Sequence, residues 1–165
     1  MIHNYNKPSE LLARQKQTGE SYWDMIGKPL PEYKRGKSVY QQFVETHRRG
    51  LYRYLKAHNL PTTALDNMVR QMAWESTYGT SNVAKKYNNY GGYGYNGKTY
   101  TNFKNDEDFY KAYVGLINKM GALRETDTNK YARILKNKGY YGDSYENYSK
   151  NLNSMKQAEK WILNE

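Results

Sequence analysis

The sequence contains no cysteine. That excludes disulfides, thiolate zinc sites and a cysteine nucleophile. Its histidines, His3, His47 and His58, stand far apart and share no metal-ligand spacing, so each is read as a polar surface residue. Neither a metal nor another cofactor is expected. Long apolar runs are also missing: hydrophobic residues make up 38% of the chain and none of their runs approaches the length of a membrane span, so membrane insertion is not expected. The stretch Met1 to Pro8 lacks the apolar h-region of a secretory signal. Phenylalanine is scarce, 3 against 19 tyrosines, so the excess rings are of the kind that carries a hydrogen-bonding tip. The last absence is local: residues 76–105 contain no Asp or Glu.

What is present fits one domain with a small appendage. A chain of 165 residues can bury a real core. The net charge of +10 implies an anionic partner: nucleic acid, an acidic membrane surface or an anionic polymer such as a bacterial wall. Tyrosine suits a sugar polymer, whose pyranose rings have an apolar face for stacking and hydroxyls round the edge; it would also suit single-stranded nucleic acid. Lysines and arginines are spread along the chain instead of clustering with the aromatics, which counts against nucleic acid.

Residues 1–37 hold three of the four prolines and read as an N-terminal arm that packs on the body through Tyr22 to Ile26, with the domain proper over 38–165. A long helix is expected from Ser38 to Asn59, carrying Val39, Phe43, Val44, His47, Leu51 and Leu55, with Gly50 weakening its middle. After Leu60-Pro61, Thr63 and Asp66 have capping-box spacing for a central helix that ends near Gly79. A short helix capped by Thr80 or Ser81 leads to a loop of alternating glycine and tyrosine, and Gly91 to Phe103 reads as a small β-hairpin. Asn105 to Asp108 start a helix striped with Phe109, Ala112, Tyr113, Leu116, Ile117 and Met120 up to Gly121. Thr128 to Lys138 and a segment capped by Ser144, with Tyr145, Tyr148, Leu152, Met155 and Ile162, complete the helices.

The central helix carries the first candidate for chemistry. Leu65, Met68, Val69, Met72 and Ala73 form one apolar face. Stepping at 100° per residue puts Glu75 about 20° from Met68, on the margin of that face, and Trp74 opposite. A carboxyl at such a margin is partly desolvated and should hold its proton more tightly, as a proton donor near neutral pH requires. A solvated helix-end glutamate is the plainer alternative. The loop tyrosines Tyr90, Tyr93 and Tyr95 alternate with glycines that let backbone approach a ligand, although Asn-Gly and Gly-Gly pairs also build ordinary turns.

The run Met72-Ala73-Trp74-Glu75-Ser76-Thr77-Tyr78-Gly79-Thr80-Ser81, followed by Tyr87-Asn88-Asn89-Tyr90-Gly91-Gly92, resembles the signature of the glucosaminidase family of peptidoglycan hydrolases, in the lysozyme-like superfamily. The family pattern is a helix-end glutamate, Ser-Gly-aromatic-Gly-x-Ser, an Asn-x-Phe-Gly loop and a later Tyr-Ala-Thr-Asp segment. Glu75, Ser76, Tyr78, Gly79 and Ser81 match; Thr77 replaces a glycine, Tyr90 a phenylalanine, and Gly139 to Asp143 matches only at Tyr140 and Asp143. The likeness spans roughly residues 60 to 155.

The resemblance implies a mainly α, lysozyme-like domain with the small β-hairpin lobe flanking a cleft. It also implies an endo-β-N-acetylglucosaminidase acting on the glycan strands of peptidoglycan, with Glu75 as general acid. Tyr78, Asn89, Tyr90, Gly91, Tyr93 and Tyr95 would bind the glycan, and Tyr140 would hold the acetamido group, with Tyr141 as the alternative match. Glycoside hydrolysis usually takes two carboxyl groups, and here the second has no evident owner: Asp106 and Glu107 suit a helix N-terminus, and Asp143 a turn. Enzymes of this family are thought able to use the substrate's own N-acetyl group instead. Alternatives are a muramidase or lytic transglycosylase of the same superfamily and, from another class, a basic, tyrosine-rich nucleic-acid-binding or structural protein. The expected setting is a monomer at the bacterial cell wall, drawn to its anionic polymer, with a bacteriophage endolysin or virion-associated protein as the delivery route.

Overall fold

The computed structural model describes residues 38–155. The chain divides into two compact units, 1–42 and 43–165, and apart from the first turn of the first helix the description below is of the second. The arm, with Tyr22 to Ile26, and Ile162 lie outside the described residues. Among the described residues six helices follow one another: α1 Val39–Ala57, α2 Leu65–Ser76, α3 Asn82–Tyr87, α4 Asp106–Met120, α5 Thr128–Asn137 and α6 Tyr145–Ser154. The domain is mainly helical, as the sequence implies, and none of these helices is long and apolar enough to cross a membrane.

Helix α2 sits at the centre. Its apolar stripe predicts one buried face, but nine of its twelve residues are buried, among them the polar Asn67, Arg70 and Gln71. These are accommodated because they find partners. The Asn67 amide donates to the Glu125 carbonyl at 2.8 Å and accepts from the Thr128 hydroxyl at 2.8 Å, while Arg70 donates to the same hydroxyl at 3.0 Å. Helix α6 packs on α2 and on α5. Trp74 points outward, 39% exposed.

Three expectations are corrected. No strand occurs among the described residues, so the β-hairpin lobe is absent. Residues 91–103 instead form a curled loop, because Gly92, Gly94 and Gly97 all take positive φ and interrupt the extended run. A Cβ at Gly94 would also strike the Thr101 hydroxyl. Thr63 does not cap α2: the N-cap is Ala64 with no side-chain bond, and Asp66 faces Arg48 at 3.3 Å. His47 is not a surface residue. It is 4% exposed, bonded through Nδ1 to the Tyr110 hydroxyl at 2.8 Å, and burial lowers its pKa to about 4 despite the nearby charge of Asp106. Gly50, read as a weak point of α1, is where Tyr110 crosses the helix; a Cβ there would lie 2.6 Å from its hydroxyl.

The end of α2 is strained. Thr77 and Tyr78 adopt φ of 49° and 54°, the left-handed region, before Gly79 at 75°. Ser76 holds the turn, donating to the Met72 carbonyl at 2.6 Å and accepting from the Gly79 amide at 2.8 Å. A β-branched residue in this region costs roughly 1–2 kcal/mol, against about 0.4–1 kcal/mol of unfolded-state entropy that glycine would add. Thr77→Gly should therefore stabilise the protein by about 0.5–1 kcal/mol. Calorimetry checks this; an unchanged or lower Tm would show that the turn is not strained there.

Candidate active site

The buried turn at Ser76 fixes the last residues of α2, and Glu75 projects from there into a cleft of about 530 Å³. Gly91 to Tyr95 and Tyr100 form one wall, Leu116 and Met120 of α4 another, and Tyr140 and Tyr141 a third. This volume lies within the usual range of ligand sites. A shallower groove along α4, lined by Asp108, Lys111, Ala112, Gly115 and Lys119, shares Tyr93 and Leu116 with the cleft and so continues it.

Glu75 is half-buried. Its Oε1 accepts a hydrogen bond from the Tyr148 hydroxyl at 2.7 Å. Burial raises its pKa above the ordinary 4.5, and the Tyr148 bond pulls the other way by stabilising the carboxylate. The upward direction is the one the margin of the α2 stripe implies. Tyr140 donates from its hydroxyl to the Gly91 carbonyl at 3.3 Å, and burial, then the charge of Glu75, raises its pKa. Tyr141 stacks on Tyr148 with ring centroids 3.7 Å apart and gives its hydroxyl to the Ala132 carbonyl at 2.9 Å.

Asn89 shapes the loop wall. Only 1% exposed, its amide donates to the carbonyls of Tyr93 at 2.9 Å and Thr101 at 3.0 Å, and its carbonyl accepts from the Tyr93 amide at 2.9 Å. Tyr93 is thereby held on the wall. Tyr95 is 59% exposed and pairs with Tyr100, centroids 4.7 Å apart, offering two adjacent rings to a sugar.

Of the residues singled out from the sequence, Glu75, Gly91, Tyr93, Tyr95 and Tyr140 meet at this cleft. Tyr78, Asn89 and Tyr90 are not among its lining residues. Tyr90 is buried against Phe43, His47 and Phe109 and donates to Asp106 at 2.6 Å, and Tyr78 sets its ring edge-on to Phe43. Sequence reasoning missed Tyr100, Leu116, Met120 and Tyr148. Leu116 and Met120 were assigned to the core stripe of α4, but its buried residues are Phe109, Tyr110, Tyr113, Val114 and Ile117, which turns those two to the rim.

None of the alternative acids lines the cleft. Asp106 and Glu107 border a separate hollow beside Arg53 and Tyr54. The Asp143 carboxylate is taken up by the Ser144 amide at 2.7 Å, at the start of α6.

The family model for glucosaminidase, described as mannosyl-glycoprotein endo-beta-N-acetylglucosaminidase, matches residues 52–160. No curated protein and no solved structure matches the chain.

Proposed function

The chain belongs to the glucosaminidase family, and so is a glycoside hydrolase acting on peptidoglycan; on that premise we propose that it cuts the glycan strand after N-acetylglucosamine, with Glu75 as its only indispensable protein acid. One observation carries this: of the eleven residues lining the cleft, Glu75 alone has a carboxyl group. A two-carboxylate mechanism needs both groups flanking one glycosidic bond.

With a single acid, the substrate supplies the nucleophile. Glu75 gives its proton to the leaving oxygen as the C1–O bond breaks, and the carbonyl oxygen of the 2-acetamido group closes on C1 to form a cyclic intermediate. Water then attacks C1 and yields its proton to the Glu75 carboxylate, and the ring reopens. Two inversions leave the anomeric configuration retained. The raised pKa of Glu75 suits the first step, and the donated Tyr148 bond stabilises the carboxylate needed in the second. Tyr140, which lines the same cleft, holds the acetamido group in this mechanism. The net charge of +10 serves the encounter with an anionic wall, not the chemistry.

Digests of purified peptidoglycan test this. Reducing N-acetylglucosamine ends with a retained first-formed anomer by NMR are expected, and Asp106→Asn, Glu107→Gln and Asp143→Asn should each keep most of the activity. Reducing or anhydro-muramic ends would mark a muramidase or lytic transglycosylase instead. An inverted product, together with loss of activity in one of the three folded variants, would refute the single-acid mechanism.

A further inference from the structure

Behind Glu75 lies a chain of buried polar groups that no substrate can reach. Tyr148 donates to Glu75 Oε1 at 2.7 Å, and its oxygen lies 3.1 Å from Gln71 Nε2. On its other side the Gln71 Oε1 accepts from the Tyr131 hydroxyl at 2.7 Å and the Tyr113 hydroxyl at 2.5 Å. Gln71 and Tyr131 are fully buried and Tyr113 is 1% exposed, so water is not at hand to satisfy them.

Proton count and bond length together set the direction of this chain. Tyr113 and Tyr131 each carry one hydroxyl proton; besides the Gln71 oxygen, the acceptors near them are the Met68 carbonyl, 3.2 Å from Tyr113, and each other's hydroxyl oxygens, 3.5 Å apart. Turning the Gln71 amide over would present its NH₂ to both hydroxyls and leave the Tyr131 proton only the Tyr113 oxygen at 3.5 Å, a poor exchange in a buried site for the 2.7 Å bond to the Gln71 oxygen. The orientation with the Gln71 oxygen toward the two tyrosines and its NH₂ toward Tyr148 is therefore the better satisfied one. With its oxygen already accepting from Gln71, the Tyr148 hydroxyl has its single proton left for Glu75.

We propose that Gln71, locked by Tyr113 and Tyr131, is a positioning residue of the hydrolase, orienting the Tyr148 hydroxyl as the fixed donor that holds the Glu75 carboxylate. This rests on the role assigned to Glu75 above. The ionisable groups facing Glu75 are Tyr148 from α6, Tyr131 from α5 and Tyr140 from the segment after α5, all neutral at working pH because burial raises their pKa values. The donated bond is thus the protein's means of limiting how far burial raises Glu75.

The test is the pH profile of kcat/KM on peptidoglycan, whose alkaline limb follows loss of the proton from the general acid. Tyr148→Phe removes the donor to the carboxylate and should move that limb to higher pH, with a plateau roughly tenfold lower from lost orientation. Gln71→Met should move it in the same direction although Gln71 touches no substrate, and the double variant should move it no further than Tyr148→Phe alone. A milder change, Tyr131→Phe, which frees the amide to turn, should give a smaller shift and keeps the test available if Gln71→Met does not fold. Limbs superimposable on wild type in both Gln71→Met and Tyr131→Phe, with only Tm reduced, would make Gln71 a core residue and overturn the proposal. Additive shifts in the double variant would overturn it as well. If Glu75→Gln is inactive while the limbs stay fixed, this inference alone fails; if Glu75→Gln is active, the assignment of Glu75 fails.

Discussion

Glu75→Gln is expected to lower turnover on peptidoglycan by at least about 10³-fold while the protein stays folded, because the amide keeps the shape of the side chain but has no proton to give to the leaving oxygen. About 4 kcal/mol of barrier corresponds to that loss. The variant still accepts the hydrogen bond that Tyr148 donates to Oε1, so the end of α2 should not move. Stability offers a second readout with a definite sign. Burial raises the pKa of Glu75 in the folded state above its ordinary 4.5, so protonation favours the fold. That contribution is complete below the ordinary value and is lost as pH rises through the folded one. Glutamine cannot ionise, so its Tm should fall less than that of wild type as pH rises past the carboxylate range. Zymography and thermal melts on the two proteins check both statements; near-normal clearing of peptidoglycan by a folded Glu75→Gln would remove the general acid from the mechanism.

The position of Glu75 was legible because it is a local property. Helical spacing relative to Met68 sets where a side chain lies on α2, and neither partner nor tertiary contact enters that count. The order of helices was legible for the same reason: Ser81, Asn105 and Ser144 each accept a bond from the amide three residues on, a capping signature carried within four residues. The lobe opposite Glu75 was misjudged because residues 98–103 alternate like a strand, whereas their conformation is dictated by partners elsewhere. Asn89 binds Thr101, Tyr87 accepts from the Phe103 amide at 2.9 Å, and the positive φ of three glycines curls what lies between. Tyr148 was the most informative omission. Its spacing from Tyr145 and Leu152 marks it as inward-facing, but nothing in that stripe tells a core ring from one whose hydroxyl meets a carboxylate 73 residues earlier in the chain. Only Gln71, one helical turn before Glu75 and on the same side of α2, could have hinted that polar groups are gathered behind the acid.

Tyr140→Phe is the second large effect. The sequence left Tyr140 and Tyr141 both available to match the family's tyrosine, and hydrogen bonding separates them. Tyr141 has its hydroxyl committed to the Ala132 carbonyl at 2.9 Å and its ring stacked on Tyr148, so it serves to brace α5 and α6. Tyr140 makes a longer bond, 3.3 Å to the Gly91 carbonyl on the opposite wall of the cleft, and can exchange it for an acetamido oxygen of a bound sugar. A hydroxyl that holds the acetamido oxygen against C1 acts by orientation, and a misplacement of the reacting groups by about 1 Å can cost about 10²-fold. Tyr140→Phe should therefore lose about 10²-fold in kcat with KM little changed, and its Tm should fall less than that of Tyr141→Phe because the bond it loses is the longer one. Tyr141→Phe should show the reverse pattern: about 1 kcal/mol of stability lost with its hydrogen bond, and turnover within a few-fold of wild type. Steady-state kinetics and melts on the pair separate the two roles. A damaged kcat in Tyr141→Phe beside an unaffected Tyr140→Phe would transfer the acetamido contact to Tyr141 and would require the Ala132 bond to break when substrate binds.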